Sequence, residues 1–170
     1  MILREPTKSD AISLVAFSNS KEIAKWLSSH PYPFTIDDAN SWINRATSKE
    51  YRGFLITLKD TKEPIGVINI DISISHNHST LSYYLAKEHQ NRGYMSEALK
   101  GVVDFCFNNL NLIRVAAHHF SGNSASKEVL RKAGFILEGV RKKHFKRGDK
   151  YLDIYDYGLI NRDYFKKEGE

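Results

Sequence analysis

At 170 residues, with 41% apolar and 26% charged residues, the chain is long enough to bury one full core and too evenly mixed for a disordered or low-complexity protein. Its 25 Lys and Arg against 20 Asp and Glu leave a formal charge of +5, an excess that suits an anionic cofactor, a nucleic acid or solubility alone. A single cysteine, Cys106, excludes an internal disulfide, and no apolar run reaches the length of a membrane span.

No linker or repeat divides the sequence, so residues 1–170 read as a single domain, with disorder confined to the tail after Lys166. The stretch Met1-Ile2-Leu3-Arg4-Glu5-Pro6 lacks the apolar core of a signal peptide, which points to the cytoplasm.

A short strand at Ile2 to Glu5 opens the chain, followed by helical segments from Ser9 to about Asn19 and from Lys21 to Ser28. After the Pro-punctuated His30-Pro31-Tyr32-Pro33-Phe34, a third helix runs from Asp37 to about Ser48 with Trp42 and Ile43 as anchors. These segments are expected to cover an acceptor site. Tyr51 to Lys59 and Ile65 to Ser75 form a hairpin through Asp60-Thr61-Lys62-Glu63. In its second strand Ile68, Ile70, Ile72 and Ile74 alternate with Asn69, Asp71 and Ser73, putting one face in the core.

Thr80 to Ala86 is a further strand, and it leads into Gln90-Asn91-Arg92-Gly93-Tyr94-Met95-Ser96, a polar turn that opens an amphipathic helix. In that helix Ala98, Leu99, Val102, Cys106 and Leu110 recur at helical spacing, with Cys106 as a packed small hydrophobe. Unpaired N–H groups of a first helical turn attract an anion, and Gly93 lets the chain approach it. Leu112 to His119 is the next strand. Asn123-Ser124-Ala125-Ser126-Lys127 opens another helix, which stops at Ala133-Gly134-Phe135 with a Gly suited to a left-handed cap. A terminal hairpin pairs Ile136 to Lys143 with Tyr151 to Leu159 around Arg147-Gly148-Asp149.

This order of elements, with its Gln90-x-x-Gly93-x-Met95 turn, its Asn123-x-x-Ser126 helix, Gly134-Phe135 and Glu138-Gly139, resembles the GNAT superfamily of acyl-CoA-dependent N-acetyltransferases. Within that superfamily the chain is most similar to the branch that acetylates the N-terminal alanine or serine of ribosomal proteins. The resemblance implies an α/β (α+β) fold: a mixed, mostly antiparallel sheet of about seven strands with helices on both faces. Two parallel strands, Leu81 to Ala86 and Leu112 to His119, splay apart to admit the pantetheine arm.

It further implies acetyl-CoA as co-substrate, with backbone groups around Tyr84 and Leu85 on the pantetheine and those of Gln90, Asn91, Arg92, Gly93, Tyr94, Met95 and Ser96 on the pyrophosphate. Asn123 matches the family residue on the coenzyme arm, and Ser126 a hydroxyl that protonates the leaving thiolate. Lys127, Arg131 and Lys132 are expected near the phosphates. The strand carboxylate of many members is missing here, where Thr80 and Leu81-Ser82-Tyr83 stand. Another acidic base of some members is replaced by His144 and Phe145.

Attack of an amine on a thioester needs a proton acceptor and stabilisation of the departing thiolate. Candidates for the acceptor are His119 at the end of the cleft strand, His30, Asp71 and His144, histidine being the residue that titrates in the right range. His76-x-His78 and His118-His119 lack partners at a ligand spacing, so no metal site is expected, and no nucleophile elbow or nucleotide-phosphate motif is present. The expected acceptor is a protein N-terminus. A small amine (polyamine, amino acid or drug), a catalytically silent acyl-CoA-binding module, and a nucleic-acid role for Arg141-Lys142-Lys143-His144-Phe145-Lys146-Arg147 are the alternatives. A monomer or homodimer is open, with Tyr151, Tyr155 and Tyr157 suited to an interface if exposed.

Overall fold

Side-chain alternation in the central strands decides which residues meet which helical layer. The structure, a computed structural model, describes residues 1–162, so the expected disorder after Lys166 falls outside the described residues. In β2 (Tyr51–Thr57) Leu55 and Ile56 face opposite ways, as do Val67 and Ile68 in β3 (Pro64–Ser73). Ile56 and Ile68 pack in one core with Leu99 and Val102 of α4 (Tyr94–Asn108). Leu55 and Val67 pack in a second core with Leu14 of α1 (Ala11–Ser18) and with Ala39 and Ile43 of α3 (Ile36–Arg45). A sheet covered on both faces must be apolar on both, and these strands are.

The sheet has seven strands, completed by β1 (Ile2–Arg4), β4 (His78–Leu85), β5 (Arg114–Phe120), β6 (Ile136–Arg147) and β7 (Lys150–Ile160), in the order β1-β2-β3-β4-β5-β7-β6. Every neighbouring pair is antiparallel except β4 and β5. That parallel pair holds register only from His78 and Arg114 to Leu81 and Ala117. Beyond it β4 continues to Leu85 and β5 to Phe120 without pairing to each other, which opens the sheet where α4 and α5 (Ser124–Lys132) begin. Among the described residues no helix is long and apolar enough to cross a membrane.

Several elements differ from the sequence reading. The helix expected from Lys21 to Ser28 is only α2 (Lys21–Ala24); past it the bonding tightens to i,i+3, and the carbonyls of Ala24, Lys25 and Leu27 accept from the distant Arg147. The helix expected to reach Ser48 ends at Arg45, where the Ala46 carbonyl accepts the Gly53 N–H at 2.8 Å. Ile74 is 59% exposed instead of buried, since β3 stops at Ser73 and Ile74–His76 forms a 3-10 turn into a left-handed Asn77. Leu110 lies past the end of α4. Cys106 is fully buried, and that burial pushes the thiol up to about 11 against the opposing effect of the hydrogen bond from Ser79. Of the last-strand tyrosines, Tyr151 is exposed but Tyr157 is buried, so they do not form one surface row.

Candidate active site

The gap between β4 and β5 exposes backbone groups that a continuous sheet would have paired. Ala86 N–H donates to Ile65 at 2.9 Å, which fixes the alternation: Tyr84 turns its backbone to Val67 of β3, while Tyr83 and Leu85 turn theirs to the gap. Of the two residues expected to offer backbone groups, Leu85 faces the gap and Tyr84 does not, its place being taken by Tyr83. Leu85 keeps its backbone N–H for the gap, and its carbonyl accepts from Gln90 Nε2 at 3.1 Å. The Tyr84 backbone is committed to β3, and its hydroxyl pairs with Ser18 at 2.9 Å, in a burial that raises the phenol's pKa.

Past β4 the chain turns through Asn91 (φ 60°) and Gly93 (φ 82°), the left-handed region that Gly adopts without strain. A Cβ on Gly93 would meet nothing within 4 Å, so glycine serves the backbone here and leaves the approach to α4 open. Gly93 is the N-cap and no side chain caps this helix, leaving the N–H groups of its first turn for a guest anion. Gln90, Asn91, Gly93, Met95 and Ser96 line the cleft. Arg92 is exposed outside it, and Tyr94 faces the opposite way toward Met1 and Leu58.

Across the gap, α5 starts with its own cap: Asn123 Oδ1 accepts the Ser126 N–H at 3.1 Å. Ser126 Oγ pairs with the Tyr83 hydroxyl at 2.8 Å, and burial raises the pKa of that phenol. On this helix Ala125, Glu128, Val129 and Lys132 face the cleft, whereas Lys127 is exposed on another side and Arg131 holds Glu128 at 3.1 Å. Of the two lysines expected near the phosphates, Lys132 lines the cleft and Lys127 does not.

Of the four proton-acceptor candidates, only His119 lines the cleft. It is 7% exposed and stacked on Tyr155 with ring centroids 5.0 Å apart. Its Nδ1 meets the Phe120 carbonyl at 3.0 Å, a contact that requires the proton on Nδ1 and leaves Nε2 as an acceptor; Nε2 is buried with no protein partner. His30 instead bonds the Ser18 carbonyl at 2.9 Å and stacks on Phe34, and its burial lowers its pKa. Asp71 pairs with Arg45 at 3.4 Å on the sheet surface, and His144 sits exposed on β6 beside Arg141.

Glu22, Ile23, Trp26, Leu27 and Ser28, from a segment expected to cover the acceptor site, form one wall of the cleft, whereas sequence reasoning missed Tyr83 and His118, which also line it. The β4 alternation carried a signal for Tyr83; nothing local marked His118. Together these elements enclose about 590 Å³. One end offers backbone donors for an anion, the middle a strand edge for an extended amide chain, and the wall an imidazole acceptor and a serine hydroxyl.

Residues 1–136 match the family model described as the acetyltransferase (GNAT) domain. An uncharacterized N-acetyltransferase of Bacillus subtilis, YoaA, is 31% identical over 94% of this chain and 93% of its own length. The ribosomal-protein-serine acetyltransferase of Escherichia coli is 32% identical over 63% of this chain and 59% of its own. The fold superposes with a TM-score of 0.85, at 21% identity, on the crystal structure of spermidine N-acetyltransferase from Vibrio cholerae in complex with CoA and spermine, covering 96% of this chain and 97% of that one. With an open helix N-terminus beside two strands that part in mid-sheet, and with that family model spanning most of its length, the chain belongs to the GNAT family and is an N-acetyltransferase.

Proposed function

We propose that this enzyme transfers an acetyl group from acetyl-CoA directly to the N-terminal amine of a protein, a ribosomal protein being the substrate class named for some of its relatives, as spermidine is for another. The observation that carries the choice of acceptor is the state of the cleft carboxylates. Glu22 and Glu128 lie on the cleft wall, and each already holds a cation of this chain, Lys25 and Arg131. A polyamine presents several ammonium groups that need carboxylates of their own when desolvated, whereas a protein N-terminus presents one.

Acetyl-CoA supplies the activated thioester, and the open gap and uncapped helix fit it. The first-turn N–H groups of α4, with Lys132, would hold the pyrophosphate. The N–H groups of Tyr83 and Leu85 and the Nδ2 of Asn123 would hold the amide arm. His119 Nε2 takes the proton from the entering ammonium, and Ser126 Oγ, hydrogen-bonded to Tyr83, delivers one to the departing sulfur and is restored by the second proton that the amine nitrogen loses as the amide forms. No side-chain nucleophile is required, and Cys106 packs in the core away from this cleft. The cytoplasm, where ribosomal proteins are made, is the proposed place of action.

Thiol release from acetyl-CoA in the presence of peptides with free Ala, Ser or Met N-termini, set against spermidine and free amino acids, tests the reading. Release driven by a peptide supports it. Release driven by spermidine alone moves the enzyme to the small-amine class.

A further inference from the structure

The wall of the cleft formed by residues 22–28 is held from a distance by one side chain. α2 is a single turn, and beyond it only i,i+3 bonds continue, from Trp26 N–H to the Ile23 carbonyl and from Leu27 N–H to the Ala24 carbonyl at 3.3 Å. The Arg147 guanidinium, at the end of β6, donates to the carbonyls of Ala24 (3.1 Å), Lys25 and Leu27 (2.8 Å). Its face lies over the rings of Phe120 and Phe145, 5.2 and 5.1 Å from their centroids. Phe120 ends the cleft strand β5, next to His119. Among the described residues, the other hydrogen bonds of Lys21 to Leu27 run within the segment Ser20 to Leu27.

A planar fork with fixed donors meets three carbonyls at once and stacks on aromatic rings at the same time, which an ammonium cannot do. The segment it holds carries Ile23, Trp26 and Leu27 into the cleft wall. Among the described residues this arginine makes no hydrogen bond, ion pair or ring contact with α4 or its turn.

We infer that Arg147 is a positioning residue for the acceptor: it pins residues 24–27 against β5 and so sets the wall that the incoming amine meets. This rests on the reading of the cleft as the acetyl-transfer site. The hydrogen bonds reach across 120 to 123 positions of sequence, so the tip of the last hairpin fixes the shape of a segment near the start of the chain.

The test compares wild type with Arg147→Lys and Arg147→Gln, using acetyl-CoA and the amine most active with the wild type. Arg147→Gln is expected to raise the acceptor KM about tenfold while the KM for acetyl-CoA stays within about twofold, with Arg147→Lys between the two. Equal changes in both KM values, or none in the acceptor KM, overturn the inference. Deuterium exchange of the free protein separates its failure from that of the functional reading. Amides of 23–27 are expected to exchange about tenfold faster in Arg147→Gln with those of α4 unaltered, even if no acceptor is found. Unchanged protection at 23–27 sinks the anchor whatever the activity.

Discussion

Two helices begin at the cleft, and their first turns are finished in different ways. α5 is capped by its own Asn123, whose side-chain oxygen takes the Ser126 N–H, so one of its first-turn donors is satisfied before any ligand arrives. α4 starts at Gly93, which has no side chain to offer, and its first-turn donors stay open. Elsewhere, in the 3-10 turn that leads into α1, Asp10 accepts the Thr7 N–H at 2.7 Å and the Arg4 guanidinium at 2.7 and 2.8 Å. A turn closed by the chain's own side chain contributes to stability, whereas the open start of α4 in the cleft offers a binding site. The same unsatisfied donors serve either end.

The sharpest way to break this contrast is to close α4. Gly93→Asp would set a carboxylate where the guest anion belongs, and the acetyl-CoA Kd measured by calorimetry is expected to rise about 100-fold. Gly93→Asn, with the same shape and no charge, separates backbone strain from electrostatics and should cost far less. An unchanged Kd in Gly93→Asp removes α4 from the binding site.

Asp10 measures the closed alternative. Its Arg4 partner holds the carboxyl down to about 2, so the folded protein keeps it ionised at pH values where the unfolded chain has taken up a proton. The stabilisation is complete above the unfolded carboxylate value and vanishes as pH falls through the folded one. Asp10→Asn is expected to cost about 2 kcal/mol in urea denaturation at pH 7, and the difference should shrink between about pH 5 and pH 2. A loss that is independent of pH would show that packing, not charge, explains the site.

At α5 the contrast can be sharpened within one turn. Ser126→Ala leaves the Asn123 cap intact and is expected to lower kcat about tenfold with acceptor KM unchanged, and Tyr83→Phe should act in the same direction. If the two hydroxyls work as a unit, the double variant is no worse than Ser126→Ala. Full kcat in Ser126→Ala would leave that hydroxyl with a structural role only. The smallest effect is the cap itself. Asn123→Ala is expected to lose about 1 kcal/mol of stability, whereas Asn123→Asp keeps the cap and weakens acetyl-CoA binding about threefold through loss of Nδ2. Equal coenzyme affinity in Asn123→Asp and wild type would confine Asn123 to capping.

Both helix starts were legible in the sequence because their signals are local. A Gly at positive φ and an Asn three residues before a backbone donor each act within one turn. The strand alternation of Ile68, Ile70 and Ile72 was legible for the same reason, and it failed at Ile74 where a turn replaced the strand. Lys127 and Lys132 were grouped by charge, yet five residues place them ~140° apart around a helix, so only one faces the cleft. Among the histidines, composition carried no preference strong enough to choose. His119 is set apart by a carbonyl on Nδ1 and a ring beneath it, both supplied by the fold.

The sequence by itself determined the elements, their order and the two polar turns that start α4 and α5, because backbone conformation and side-chain period are short-range properties. The tertiary structure alone decided where the parallel pair stops, at Leu81 and Ala117, and therefore which strand groups are free. It also decided that Tyr83 meets Ser126 across 43 residues and that Arg147 closes the turn after Ala24 across 123. Those contacts form only when separate elements are packed against each other, and no window of sequence contains both partners.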